Sequence, residues 1–216
     1  MRVPRIVGSL WPGLLLLGVF GLDIAFFENG SDGIDPRLIL LLRLPGQLGT
    51  PLGPAWMAET GRDLTGLGSN GVLGLMVLTG CGALIFAGWA RAAATLAIAS
   101  GMALVGNGLL KLLVQRARPG LIPNAPQVFT TSFPSSHSMM SAAVFFTAAA
   151  LVASVSPSAA LRRFAFVMAA VATGLVGASR VYLGVHWPTD VLGGWAAGLF
   201  CAWASCRLVR PVSARA

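Results

Sequence analysis

One short stretch carries several of the side chains in this sequence that could do chemistry. Residues Ser179 to Asp190 include an arginine, a histidine and an aspartate in a chain that is otherwise mostly apolar. His186 and Asp190 are four residues apart, so at a helix start they would lie on one face and touch. A carboxylate bonded to one imidazole nitrogen fixes the tautomer and leaves the other nitrogen free as nucleophile or base. Arg180 adds a permanent cation whose planar fork of donors suits a phosphate.

A second polar stretch, Lys-Leu-Leu-Val-Gln-Arg-Ala-Arg-Pro, runs from Lys111 to Pro119. Lys111 and Arg118 are seven residues apart, which is nearly two helical turns. They would share a face if the helix continued that far, although Pro119 biases Arg118 toward an extended conformation and ends the helix about there. Basic residues at a span end are also typical snorkelling anchors, so this stretch alone does not predict a site.

A third stretch, Pro134-Ser135-Ser136-His137, is a helix-start signal. The free backbone donors at a helix start make a ready anion site. The hydroxyls of Ser135 and Ser136 would either cap the helix or bind phosphate oxygens. His137 is the second of the two histidines in the chain.

The composition predicts that these stretches belong to a membrane protein. The 216 residues are 56% hydrophobic and 10% charged, with a mean hydropathy of +0.78. A soluble domain usually carries about 25% charged residues, so most of this surface is not expected to face water. The length fits one domain, residues 1–216, with about six spans. We therefore expect an all-α polytopic membrane protein, a bundle of six transmembrane helices.

The apolar runs place the predicted spans and the segments between them. The spans cover residues 6–27, 71–89, 92–114, 137–155, 164–182 and 188–209. Residues 28–69 form the longest extramembrane segment, in which we expect a short interfacial or re-entrant helix at 36–46 and a second short helix at the surface at 56–67. Asp23 is interpreted as an interfacial carboxylate, and Asn107 as an interhelical hydrogen-bonding residue. Gly194 and Gly198 predict close helix packing.

The charges predict the orientation of the bundle. With the N-terminus inside, one side holds eight arginines and no acid: Arg2, Arg5, Arg91, Arg162, Arg163, Arg207, Arg210 and Arg215. The other side holds the remaining basic residues together with all seven acids. The positive-inside rule puts the first side in the cytoplasm, so the three polar stretches fall on the extracytoplasmic side. The net charge of +8 is then explained by topology, and no nucleic-acid partner is expected.

No metal or cofactor is expected from the sequence. Cys81, Cys201 and Cys206 all fall in apolar runs without metal-like spacing, and we interpret them as small core residues. The acids form no cluster of the kind that holds a hard cation.

The three polar stretches together resemble the type 2 phosphatidic acid phosphatase superfamily. Lys-x6-Arg-Pro, Pro-Ser-x-His and Ser-Arg-x5-His-x3-Asp match its pattern in order and spacing from Lys111 to Asp190. That family includes membrane lipid phosphatases and, more distantly, soluble vanadium haloperoxidases. One departure is Ser136, where the family usually has glycine. Its backbone amide can still donate, so we expect a change in geometry or substrate fit before activity is lost.

The resemblance implies a role for each matched residue. His186 would be the nucleophile that forms a phosphohistidine, and Asp190 would orient it. His137 would protonate the leaving group and then activate water. The phosphate oxygens would be held by Lys111, Arg118, Arg180 and the helix start at Ser135 and Ser136. Such a cluster supplies the positioning and positive charge that phosphoryl transfer needs, and two histidines near their reference pKa of about 6.5 would exchange protons at neutral pH.

Four neighbouring residues receive other interpretations. Arg116 lies outside the matched positions and is interpreted as an ordinary solvated or headgroup-facing charge. Ser179 belongs to the motif but has no evident chemical role. Tyr182 and Trp187 are expected in the interfacial aromatic belt, and either could instead flank the site.

The resulting expectation is a metal-independent lipid phosphate or diphosphate phosphatase of the inner membrane. Its active site would face the extracytoplasmic side, with both termini in the cytoplasm and lipids as partners. Undecaprenyl diphosphate, phosphatidylglycerophosphate, phosphatidic acid and lipid A phosphates all stay open as substrates, and the oligomeric state is not readable. A lipid phosphotransferase would use the same residues. A transporter is a third possibility, although no inverted repeat is present in the sequence.

Overall fold

The protein is described by a computed structural model that covers residues 33–123 and 130–209. Within these ranges it is mainly helical. The helices are α1 Ile34–Leu40, α2 Ala55–Gly66, α3 Asn70–Phe86, α4 Ala90–Val114, α5 Ser136–Val155, α6 Ala159–Tyr182 and α7 Pro188–Val209. An antiparallel hairpin of β1 Arg43–Leu44 and β2 Gln47–Pro51 lies between α1 and α2. The predicted all-α class therefore needs one correction, since this hairpin is present.

The four helices α4 to α7 are each long and apolar enough to cross a membrane. Helices α2 and α3 form a fifth candidate together, bent by 43° where they join. The helical runs predicted for the last four spans are thus confirmed. The predicted span at 6–27, with Asp23, lies outside the described residues, and the count of six stays a prediction.

The start of α6 differs from the sequence-based expectation. The predicted span began at residue 164 after a loop, whereas the helix begins at Ala159. The hydroxyl of Ser158 accepts a hydrogen bond from Leu161 N at 3.2 Å and so satisfies one of the free donors of the first turn. A serine cap therefore extends the helix beyond its purely apolar part.

The segment between the first two predicted spans is held against the bundle. The predicted interfacial helix at 36–46 is wrong in its second half, because α1 ends at Leu40 and the chain enters the hairpin. Buried Arg43 donates from Nη2 to Tyr182 O at 2.5 Å, which ties the hairpin to the end of α6. The predicted surface helix at 56–67 is confirmed as α2, which is largely exposed and has one side packed against α6.

Helix α5 lies at the centre of the bundle, with α4, α6 and α7 packed around it. Two glycines allow α7 to approach α5 closely, as the sequence predicts. A Cβ atom added at Gly198 would lie 2.3 Å from Met139 O, and one at Gly194 would lie 2.8 Å from Ser135 O. Buried Leu73, Met139 and Cys201 belong to the apolar core beside this contact.

Four helix ends meet on one side of the bundle. Asn107, near the end of α4, donates to Pro134 O at 3.2 Å just before α5. Ser135 N in turn donates to Asp190 O at 3.0 Å in the first turn of α7. The end of α6 lies on the same side, because only a short turn connects it to the start of α7. In that turn, Val185 N donates a hydrogen bond to Arg180 O at 3.2 Å. The three polar stretches are therefore brought to one end of the bundle.

Candidate active site

His186 and Asp190 form a buried pair, as their spacing predicts. His186 Nδ1 lies 3.3 Å from Asp190 Oδ2, and the two residues are 1% and 0% exposed. The pair forms because α7 begins at Pro188, which leaves His186 just before the helix and Asp190 in its first turn. Asp190 Oδ2 also accepts from Trp187 N at 2.9 Å and from the hydroxyl of Ser132. These two donors therefore hold Oδ2, the carboxylate oxygen that faces the imidazole, in place.

The contacts of His186 define its tautomer in the neutral state. Since Asp190 Oδ2 is an acceptor, the proton belongs on Nδ1 and Nε2 carries the lone pair. Arg118 Nη1 lies 3.1 Å from Nε2 and is a donor in every state, which agrees with this assignment. The nitrogen with nucleophilic character therefore faces the guanidinium of a predicted phosphate-binding residue.

Burial changes the acid–base behaviour expected of His186. It lowers the pKa of His186 to about 4, and this effect outweighs the opposing hydrogen bond and negative charge of Asp190. The expectation of an imidazole near its reference pKa of about 6.5 is therefore wrong for this residue. At neutral pH the ring is therefore uncharged, with its one proton on Nδ1 and a free lone pair on Nε2, which is the form that a nucleophile needs.

Arg118 lies beyond the helix that carries Lys111, as Pro119 predicts. Helix α4 ends at Val114, and Gln115 has a left-handed backbone with φ 48°, so the condition for Lys111 and Arg118 to share a helix face is not met. Arg118 instead lies on an extended segment, where Nε donates to Thr130 O and Nη1 to Val185 O, both at 2.7 Å. These carbonyls fix the guanidinium in front of His186.

Lys111 and Arg180 complete a cluster of three cations. Lys111 Nζ donates to Thr131 O and lies within electrostatic range of both arginines and of Asp190. Arg180 Nη1 donates to Thr65 Oγ1 at 2.9 Å. The buried Nε of Arg180 has no hydrogen-bond partner within the described residues. Three converging cations and an unpartnered donor are features that fit an anion.

The start of α5 is held by its own serines. Ser135 Oγ accepts from Ser138 N at 3.4 Å, so of the two alternatives for this hydroxyl, the structure has the helix cap. Ser136 Oγ donates to Asn107 Oδ1 at 2.6 Å. The interhelical role predicted for Asn107 is confirmed. An anion at this helix end would therefore meet backbone amides before serine hydroxyls.

His137 lies half-buried at this helix end, on the same side as His186. It is within electrostatic range of His186, Arg118 and Arg180. Gly68, at the bend between α2 and α3, packs against it, since a Cβ added there would lie 3.1 Å from His137 Cβ. The structure thus brings all three polar stretches together around one location.

The interpretation of Arg116 as an ordinary solvated or headgroup-facing charge is wrong. Only 10% of its side chain is exposed. Its Nη2 lies 2.7 Å from Asp35 Oδ2, and its Nη1 lies 2.8 Å from Asp190 Oδ1. The sequence gives no signal for this contact, because Asp35 lies in the early extramembrane segment, far from the motifs.

Other contacts at the site were also missed or left open. Ser132 and Thr65 touch Asp190 and Arg180 but stand outside the recognised pattern. Of the two positions considered for Trp187, the structure has the one that flanks the site. Its Nε1 donates to Ala117 O at 2.9 Å. Ser179 Oγ donates to Val176 O within its own helix, which adds no chemical role.

A membrane-type helical bundle that sets a carboxylate-bound histidine against converging cations has the arrangement expected of a membrane phosphoryl-transfer enzyme. The model of the PAP2 superfamily matches residues 76–213, a range that includes all three polar stretches. The chain belongs to the PAP2 superfamily, and it is a membrane phosphatase of that family.

Two curated relatives support this assignment. The chain is 35% identical over 147 residues to phosphatidylglycerophosphatase B of Bacillus subtilis. The aligned region covers 67% of this chain and 71% of the relative. It is 29% identical over 130 residues to undecaprenyl-diphosphatase of Sulfolobus acidocaldarius, which covers 58% of this chain and 59% of that relative.

Two solved structures share the fold. A transmembrane PAP2-type phosphatidylglycerolphosphate phosphatase from Bacillus subtilis matches with a TM-score of 0.80 at 28% identity, over 93% of this chain and 96% of that one. LpxE from Aquifex aeolicus matches with a TM-score of 0.59 at 23% identity, over 81% and 96% of the two chains. The second likeness concerns the fold alone.

Proposed function

We propose that this phosphatase hydrolyses lipid phosphates or diphosphates through a phosphohistidine on His186, without a metal ion, at the extracytoplasmic face of the inner membrane. The observation that carries the proposal is the environment of His186. Its Nδ1 is held by Asp190 Oδ2 at 3.3 Å, and its Nε2 faces Arg118 Nη1 at 3.1 Å. A phosphoryl group bound by Arg118 would therefore lie next to the lone pair of Nε2.

The first step transfers the phosphoryl group to the enzyme. Nε2 of His186 forms a bond to phosphorus while the bond from phosphorus to the leaving oxygen breaks. His137, protonated, gives its proton to that oxygen. The negative charge on the equatorial oxygens is compensated by Lys111, Arg118 and Arg180, together with the amides at the start of α5.

The second step frees the enzyme. Neutral His137 takes a proton from water, and the water oxygen forms a bond to phosphorus as the bond from phosphorus to His186 Nε2 breaks. Inorganic phosphate leaves, and His186 returns to the tautomer that Asp190 stabilises. His137 ends this step protonated, as the next turnover requires.

The names of the relatives favour two substrates. Phosphatidylglycerophosphate is a phosphomonoester, and undecaprenyl diphosphate has a terminal phosphoryl group on a diphosphate. In both, the reacting group is a terminal phosphoryl at the end of a lipid. A site at one end of a helix bundle suits such a group, because the acyl or prenyl chain would remain in the bilayer.

The orientation rests on the distribution of arginines. Helices α4 and α6 begin, and α7 ends, with basic residues at the end of the bundle remote from His186; Arg91, Arg162, Arg163 and Arg207 are the described ones. Under the positive-inside rule this end faces the cytoplasm, so the site faces outward. The proposal therefore includes access for substrates in the outer leaflet.

The test measures phosphate release by purified protein from a panel of lipid phosphates in excess EDTA. We expect turnover of phosphatidylglycerophosphate or undecaprenyl diphosphate, loss of it in His186→Ala, and unchanged rates in the exposed control Arg37→Ala. Sealed right-side-out vesicles should hydrolyse an added short-chain lipid phosphate without detergent, whereas inside-out vesicles should need detergent. Full activity in His186→Ala, or loss of activity in EDTA restored by a divalent metal, would contradict the proposal.

A further inference from the structure

Three charged side chains form a buried line behind the His186–Asp190 pair. Asp35 comes from α1, Arg116 from the extended segment after α4, and Asp190 from α7. Arg116 Nη2 lies 2.7 Å from Asp35 Oδ2, and Arg116 Nη1 lies 2.8 Å from Asp190 Oδ1. The side chains are 6%, 10% and 0% exposed, respectively. Salt screens such a pairing much less than it screens a surface ion pair.

Asp35 also holds the start of α7. Its Oδ1 accepts from Thr189 N at 3.1 Å, and its Oδ2 accepts from Thr189 Oγ1. A carboxylate that accepts a first-turn amide acts as a helix cap, and its charge favours the positive end of the helix dipole. The cap of α7 is thus supplied by a helix remote in sequence. Arg116 Nη1 contacts the same Thr189 hydroxyl at 2.6 Å, so the guanidinium and the cap form one network.

The contacts of Arg116 distinguish it from the phosphate-facing cations. Each terminal nitrogen of its guanidinium is engaged by a carboxylate, and its Cζ lies 5.5 Å from the centroid of the Trp187 ring. Arg180, by contrast, has a buried Nε without a partner among the described residues. The guanidinium of Arg116 is therefore directed at Asp190 Oδ1, on the side of the carboxylate away from His186.

Asp190 divides its two oxygens between two tasks. Oδ2 receives Trp187 N, Ser132 Oγ and His186 Nδ1, while Oδ1 receives Arg116. A buried carboxylate oxygen that lost its cation would carry a large desolvation penalty, and the group would rotate or take up a proton to relieve it. Either change would disturb the hydrogen bond that sets the tautomer of His186.

We propose that Arg116, held in place by Asp35, is a positioning residue for the phosphatase reaction. The pair fixes the Asp190 carboxylate so that Oδ2 stays directed at His186 Nδ1 and Nε2 keeps its lone pair toward the substrate. This inference rests on the proposed function of His186. It also makes α1 part of the catalytic architecture, since the residue that orients Arg116 lies there.

The first test reads the imidazoles directly and needs no substrate. The chain has two histidines, so protein labelled with 15N-histidine gives two sets of ring signals, which His137→Gln assigns. In the wild type we expect His186 as the Nδ1–H tautomer at neutral pH. In Arg116→Gln and Asp35→Asn its ring signals should move toward a mixture of tautomers, while Arg37→Gln should leave them unchanged.

The second test measures kcat and KM on a lipid phosphate that the wild type hydrolyses. Arg116→Gln should lower kcat by about 10- to 100-fold with KM changed less than about twofold, as loss of an orienting partner predicts. Arg116→Lys should recover part of that loss. Because the two residues act as a unit, the double variant of Asp35→Asn with Arg116→Gln should be no slower than Arg116→Gln alone.

The outcomes separate this inference from the proposed function. A wild type that releases no phosphate from any lipid contradicts the function, and the ring signals of His186 still decide whether Arg116 positions the pair. Unchanged His186 signals in folded Arg116→Gln and Asp35→Asn would overturn the inference. So would a wild-type kcat in Asp35→Asn, which keeps the residue size close to native and serves as the test if Arg116→Gln fails to fold.

Discussion

His186 combines two environments that act on its two ring nitrogens separately. On the Nδ1 side, a carboxylate with several partners fixes the proton. Burial opposes protonation of the ring most strongly, and the guanidinium of Arg118 on the Nε2 side opposes it as well, so the pKa falls to about 4 in spite of Asp190. A neutral imidazole beside a guanidinium is the combination that the proposed covalent phosphoryl transfer requires.

The lowered pKa predicts how activity depends on acid. Since the nucleophile must be neutral and its pKa is about 4, the acidic limb of kcat/KM assigned to His186 should lie near that value. The limb should stay far below the reference value of about 6.5. The measurement is a pH profile of wild type, corrected for the separately determined ionisation of the substrate phosphate and checked for full recovery at neutral pH. A limb assigned to His186 near its reference value would contradict the burial argument.

At the level of elements, the site depends on how closely α7 approaches α5. Gly194 and Gly198 remove the side chains that would separate the helices, and Ser135 N then reaches Asp190 O at 3.0 Å. This distance links the start of the helix carrying His137 to the start of the helix carrying Asp190. The sequence predicted the close contact from glycine spacing, but not that the contact positions the two halves of the site.

A matched pair of glycines tests this packing. Gly198→Ala should destabilise the protein by about 1–3 kcal/mol, because overpacking of a tight contact forces backbone shifts. The added Cβ would lie 2.3 Å from Met139 O, which is backbone and cannot move alone. Gly174→Ala in α6 is the control, since its Cβ would meet nothing within 4 Å.

The readout is the thermal midpoint in detergent together with phosphatase rate. We expect a lower midpoint and a lower rate in Gly198→Ala, and an unchanged or slightly higher midpoint in Gly174→Ala, because alanine is the better helix former. Equal midpoints for the two variants would show that the approach of α7 to α5 is not limited by side-chain volume.

Taken as a whole, the molecule follows its sequence most closely where local patterns act. Apolar runs predicted the helical segments of the last four spans, and motif spacing predicted the contact of His186 with Asp190. What the sequence could not predict depends on long-range contacts. Arg116 and Asp35 meet only after α1 folds back onto α7, and no local pattern distinguishes a buried arginine from a solvated one.

The bend in the chain before α3 illustrates the same limit. Hydropathy predicted a separate short helix and a full span, whereas α2 and α3 together form one bent candidate for a span. The bend brings Thr65 to Arg180 at 2.9 Å and Gly68 against His137. The early segment, which the sequence left without a decoded role, therefore forms part of the wall around the site.

In the proposed mechanism, helix ends remote in sequence act on one phosphorus atom, with His186 as the nucleophile. The most direct test is to mix the enzyme with a lipid substrate carrying a 32P-labelled terminal phosphoryl group, quench in alkali and locate the protein-bound label. We predict alkali-stable, acid-labile label on the peptide that contains His186 in wild type, with none in His186→Ala. Label on another residue, or rapid turnover of wild type with no bound label under the same quench, would contradict the account.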